Sequence, residues 1–126
     1  MATTGVQAGE VITWTNGTGS DVSSGGVVVI GATGDATIGI ALVDIANGSS
    51  GSVALSGVFT VAKASAAVFA QGETLIWDSS ASAFDDNQAT PASGDVSGSV
   101  MAWAAGANTE TSCTVKLLGV PGTLTA

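Results

Sequence analysis

Between Gly39 and Val61 the chain reads GIALVDIANGSSGSVALSGVFTV, and apolar residues recur at every second position on either side of a Gly/Ser/Asn turn. Ile40 and Leu42 fall on one face of the first run. Val53, Leu55, Phe59 and Val61 fall on one face of the second. A period of two suits a half-buried β-strand, whose successive side chains point to opposite sides of a sheet. Asn47 and Gly48 tolerate the positive φ that a tight turn requires. Gly57 interrupts the second run and predicts a bulge or a close backbone approach. The stretch predicts a bent antiparallel sheet with one apolar face, around which the rest of the chain is organised.

The flanking segments have the same character. Glu10 to Thr15 reads as a strand with Ile12 and Trp14 on one face and Val11 on the other, and Val27-Val28-Val29-Ile30 reads as a strand packed on both faces. Further strands are expected at Thr74–Asp78, from Ala83-Phe84, within SVMAWAA (residues 99–105) and at Thr111–Leu118. Ala62 to Ala70 is rich in helix formers and ends at Gln71-Gly72, which predicts one short helix near 64–70. Seven or eight short strands with this spacing predict a mainly β fold, a small antiparallel barrel or sandwich. Residues 1–9 are expected to be a flexible N-terminal arm, 10–118 a single β-rich domain, and 119–126, with Pro121-Gly122, a C-terminal tail. No repeat of fixed period is visible.

Composition narrows the function. Ten acids face only Lys63 and Lys116, for a net charge of −8 and no arginine or histidine. Nucleic-acid binding needs cations that displace counterions from phosphates, and an anionic membrane surface needs the same, so neither partner is expected. Charged residues make up 10% of the chain, against about 25% in ordinary domains, and mean hydropathy is positive. One cysteine makes no internal disulfide, and the first residues lack a secretory pattern, so an intracellular origin, in the cytoplasm, is expected.

Chemistry is hard to place. Without histidine there is no Ser-His-Asp or Cys-His centre and no His-ligated zinc site. Cys113 alternates in step with Val115 and Leu117 and is expected to be a buried, inert thiol. Asp85-Asp86-Asn87 lacks the spacing and closing Glu of a calcium loop and reads as a solvated acidic loop. Lys63 and Lys116 raise the question of a Ser-Lys dyad, but both are expected to be solvated. The Gly-rich stretches 17–20 and 31–34 read as turns, not phosphate loops. Trp14, Trp77, Trp103, Phe59, Phe69 and Phe84 are about enough for one small core, with an exposed Trp at a subunit contact as the alternative. No catalytic residue, cofactor or metal site is expected.

The order of segments carries a resemblance. Val6 to Trp14 (VQAGEVITW), Gly39 to Ala46 (GIALVDIA), Gly51 to Lys63 (GSVALSGVFTVAK), Ala70 to Glu73 (AQGE), Leu75 to Asp78 (LIWD) and Thr114 to Leu117 (TVKL) together resemble a family of small tailed-phage capsid decoration, or cement, proteins. The resemblance spans most of Val6 to Leu118, and departs in a longer acidic loop at 85–94 and in the residues after Leu118. It implies a non-enzymatic virion protein on the outer surface of the capsid, a homotrimer that binds the major capsid protein of the expanded head and bridges capsomers. The N-terminal arm would then add a strand to an exposed capsid edge, with Thr3, Thr4, Gly5, Val6 and Gln7 as the expected capsid contacts. The alternative is another virion structural module, a tail or fibre domain. A small hydrolase with paired carboxylates is the third class.

Overall fold

A computed structural model of the chain describes residues 9–32 and 34–126. These residues form ten strands and no helix: β1 (Val11–Thr15), β2 (Val27–Gly31), β3 (Asp35–Ala41), β4 (Ser50–Ala54), β5 (Gly57–Ala62), β6 (Thr74–Asp78), β7 (Ala83–Asp86), β8 (Val96–Ala102), β9 (Ser112–Leu117) and β10 (Gly122–Leu124). All pair antiparallel in one sheet that curls into a half-barrel. The mainly β expectation holds.

The connectivity is that of one unit built twice. Along one path the order is β1-β4-β3-β10-β8-β9-β5, which reads the same from either end once β1, β4 and β3 are matched with β5, β9 and β8. The second edge of β3 carries β2, and the second edge of β8 carries β6. Loop hydrogen bonds repeat at corresponding places. Val22 and Ile45 exchange both backbone bonds, and so do Phe69 and Gly106. Gly25 N–H donates to Ala41 O at 2.7 Å, and Gly72 N–H to Ala102 O at 2.9 Å. Leu42 N–H donates to Ser52 O, and Trp103 N–H to Thr114 O, both at 3.0 Å. The residue offset is constant from β1/β5 through β2/β6 and then jumps, because the second wing inserts β7 and an acidic loop between β6 and β8. A repeat whose offset changes midway has no fixed period, so it escapes a periodicity search.

The wings meet at β10. Thr123 pairs with Asp35 of β3 on one side and with Ser97 of β8 on the other. Beyond β10 the two strands face each other across a gap filled by one side chain. Ser99 Oγ accepts from Ile38 N–H at 2.9 Å and donates to Val120 O at 3.0 Å, which gives the buried Ile38 N–H its partner and ties the Val120 carbonyl to β8. A Cβ on Gly122 would fall on the Ser97 carbonyl, so only glycine lets β10 lie this close to β8.

The main core lies between the wings. Ile38 and Ile40 of the first pack with Leu75, Trp77, Phe84, Val100, Val115 and Leu117 of the second. The Trp77 and Phe84 ring centroids are 5.0 Å apart, a tilted pair of the kind aromatic quadrupoles favour. A smaller cluster of Val28, Ala41, Ile45 and Val53 belongs to the first wing, with Ile12 and Trp14 against it.

Several expectations are corrected. The run from Val53 to Val61 is two strands, because Gly57 takes φ +113° and turns the chain from the first wing into the second. Val53 therefore faces the small cluster while Val61 joins the main core. Leu42 lies past the end of β3 and is exposed, unlike Ile40. β2 touches both clusters, but only Val28 is fully buried, since β2 pairs with β3 alone. No helix forms near 64–70. Ala67 N–H donates to Ala64 O three residues back, and Phe69 turns both backbone groups to Gly106, so tertiary pairing overrides helix propensity. The eighth strand begins at Val96, three residues before the expected SVMAWAA stretch, and ends before Trp103. The segment 119–126, expected as a tail, contributes β10 to the middle of the sheet.

Ser99→Ala leaves Ile38 N–H and Val120 C=O without this partner. It is expected to destabilise the fold by about 1–3 kcal/mol, measured as a lower denaturant midpoint with unchanged slope.

Candidate functional site

Because β10 is antiparallel to both β3 and β8, those two strands run the same way and finish at the same end of the sheet. That end carries the loops 16–26, 42–49, 63–73 and 103–111. Four of the large apolar side chains that stay exposed are here: Leu42 (42%), Val43 (46%), Val68 (60%) and Trp103 (47%). Single exposed apolar residues are ordinary, but several at one end mark a contact surface. Among the six aromatics, Phe69, Trp77 and Phe84 are core, Phe59 and Trp14 are half-buried against it, and Trp103 fits the alternative of an exposed contact residue.

The loops at this end are held by two buried polar side chains at matching places. Asn16, completely buried, follows β1. Its Nδ2 donates to Ser20 O at 2.8 Å and Ile45 O at 2.9 Å, and its Oδ1 accepts from Thr18 N–H and Thr18 Oγ1. Lys63 follows β5. Its Nζ donates to Ala64 O at 2.9 Å and to Ser65 O and Glu110 O at 3.2 Å. The expectation that Lys63 is solvated is thus overturned: three carbonyls take its three N–H donors, and the residue is 4% exposed. A buried ammonium is tolerated when its donors are all used. Lys116 is exposed on β9, as expected.

The acids here cap turns. Asp44 Oδ1 accepts from Ser24 N–H, Asp21 Oδ1 from Asn47 N–H, Glu73 Oε2 from Ala70 N–H and Glu110 Oε1 from Ala107 N–H. Thr109 takes φ +77° at the place where the first wing has Gly48 at +85°, and its N–H donates to Ser65 O at 2.7 Å. A β-branched residue in the left-handed region is strained by roughly 1–2 kcal/mol.

Little chemistry is assembled. Cys113 is buried, as its alternation implied. Loss of solvent pushes its thiol up to about 11, with the Lys63 charge pulling it down and Glu110 raising it further. A cleft between Gly25–Val27 and Val61, Ala62 and Trp77 contains one hydroxyl, that of Ser82, and no acid or base. Asp85 and Asp86, expected in a solvated acidic loop, are instead the half-buried last two residues of β7, because they pair with Ile76 and Leu75 of β6; the turn begins at Asn87, and Asp86 Oδ1 accepts from Gln88 N–H. Among the described residues no three His, Cys, Asp or Glu side chains come together as metal ligands. Thr3, Thr4, Gly5, Val6 and Gln7 lie outside the described residues. What sequence reasoning missed is the apolar end itself: its signal is Leu42 and Trp103 at the same place in two repeated wings, visible only once the wings are aligned.

Lys63→Met is expected to cost about 1–3 kcal/mol, since it removes the one donor that three part-buried loop carbonyls share, while Lys116→Met stays within about 0.5 kcal/mol. Thr109→Asn is expected to raise stability by about 1 kcal/mol by relieving backbone strain. Chemical denaturation of the three variants checks both. Cys113 raises no pH dependence below the ordinary thiol pKa. Its raised folded value means stability is lost only as pH climbs from that value through about 11. At pH 8 a maleimide should label it only on unfolding.

A search of curated proteins found no match. The profile of a family described as phage cement protein matches residues 6–117, which covers nine of the ten strands. The chain belongs to the phage cement protein family, and so to the proteins that associate with a bacteriophage capsid.

Proposed function

We propose that this protein decorates the outside of the expanded phage head as a homotrimer, and stabilises the head by bridging capsomers through the major capsid protein. It acts by binding alone, with no catalytic step. The observation that carries this reading is the family match, which spans nearly all of the sheet. Leu42, Val43, Val68 and Trp103 support it, because they expose apolar surface at a preorganised end. A chain with 10% charged residues also suits a contact role, since interface centres are depleted in charge. A ligand that binds the expanded lattice and not its precursor adds its binding free energy to the expanded state by mass action.

Residues 1–8 precede β1 in the sequence, and among the described residues β1 pairs with β4 alone. We propose that Thr3 to Gln7 add backbone hydrogen bonds to a capsid strand edge.

Co-sedimentation with heads that lack the protein tests the reading. Saturable binding to expanded heads, in multiples of three per site, and none to unexpanded heads is the expected result. Binding to neither at concentrations well above micromolar would sink it. Deletion of residues 1–8 should weaken binding at least tenfold with the melting temperature unchanged, and unaltered affinity would remove the arm from the contact.

A further inference from the structure

We infer that one chain grips two chemically equivalent surfaces at once, through two matched corners: Leu42-Val43 at the end of β3 and Trp103 at the end of β8. This rests on the proposed role on the phage head. The partner is two neighbouring copies of one protein, each presenting an apolar spot ringed by basic groups.

The argument starts from the repeat. Leu42 and Trp103 each follow the last residue of the corresponding strand. Their backbones are held alike. Leu42 N–H goes to Ser52 O, and Ser24 Oγ donates to Leu42 O at 3.2 Å. Trp103 N–H goes to Thr114 O, and Gln71 Nε2 donates to Trp103 O at 3.1 Å. Both side chains remain nearly half exposed, although a core-facing residue lies one position before each, Ala41 at 1% and Ala102 at 0% exposure. Retaining exposed apolar residues at the same places in both wings is unexplained by the core, which they do not join. It is explained by two copies of one target.

Geometry and charge fit this target. β3 and β8 run in the same direction, with β10 paired to the start of each, so both corners lie at the same end of the sheet. Asn16 and Lys63 fix the loops around them, which lowers the ordering cost of binding. Asp44 adjoins Leu42-Val43, and Glu73 lies in the loop that Gln71 ties to Trp103. The one lysine at this end, Lys63, has its ammonium buried on carbonyls. A negative setting around each apolar corner favours basic groups on the partner. A capsid surface repeats, and so supplies two copies side by side.

The test uses the full chain and expanded heads. Leu42→Asp and Trp103→Asp should each weaken binding by about 100-fold or more, because a two-point attachment loses its effective concentration when either point fails. Both variants should melt like the parent, since the sites are exposed. In a second arm, a photoreactive phenylalanine replaces Leu42, Trp103 or both. The expected result is that both positions cross-link to the same segment of the capsid protein, and that the doubly substituted chain yields a product with two capsid chains. Either Asp variant binding within twofold of the parent would overturn the inference. So would cross-links to two different segments, double substitution that yields only one-capsid products, or no cross-link from a chain that sediments with heads. A parent chain that does not bind heads at all overturns the decoration reading instead, and this inference with it.

Discussion

Three residues hold the two wings of this protein in register. Gly122–Leu124 give their backbone to β3 on one side and β8 on the other, and where β10 ends the Ser99 hydroxyl takes over the same task. Every buried contact between the wings depends on that seam. Ile38 and Ile40 reach Leu75 and Val100 only because β3 and β8 are held one strand apart. Apolar burial supplies most of the driving force, but it is non-directional. The hydrogen bonds of the seam decide which face meets which.

The same division of labour recurs in the loops. Asn16 and Lys63 occupy matching positions and bind carbonyls from two loop segments each, yet one is neutral and the other a cation. The position therefore selects for donors, not for charge. The second wing meets the extra demand of burying an ammonium with a third carbonyl, that of Glu110, one residue after the strained Thr109. The strain at Thr109 persists because its own N–H is held by Ser65 O and those of Gly106, Ala107 and Glu110 around it are bonded too.

Much of this fold is legible in the sequence. The strands read at Glu10–Thr15, Val27–Ile30, Thr74–Asp78 and Thr111–Leu118 follow from alternation and β-branched content and match β1, β2, β6 and β9 to within a residue at each end, and Cys113 declares its burial by keeping step with Val115 and Leu117. What escapes reading does so for physical reasons. Ala62 to Ala70 has helix-forming composition, but its Phe69 is paired with Gly106, a partner that no local window contains. β10 is too short to show a period, and the Gly122 that reads as a turn is there to admit the Ser97 carbonyl. Lys63 is buried by carbonyls from residues with no side-chain signal. Family resemblance is legible because it resides in the order of strand segments. The contact surface is not, because Leu42 reads as one more residue of an alternating strand until β3 is seen to stop at Ala41.

The position of β10 also has a bearing on how the molecule is made. The strand that joins the wings follows all the others along the chain. Each wing can form its own hairpins from nearer sequence, β2 with β3 and β6 with β7, while it emerges from the ribosome. The seam closes only after Gly122–Leu124 have been synthesised, and the pairing with Asp35 and Ala36 spans most of the polypeptide. Such a late, long-range closure is slow relative to local pairing. Until it happens the apolar face of each wing is open, and assembly onto any target must wait for it.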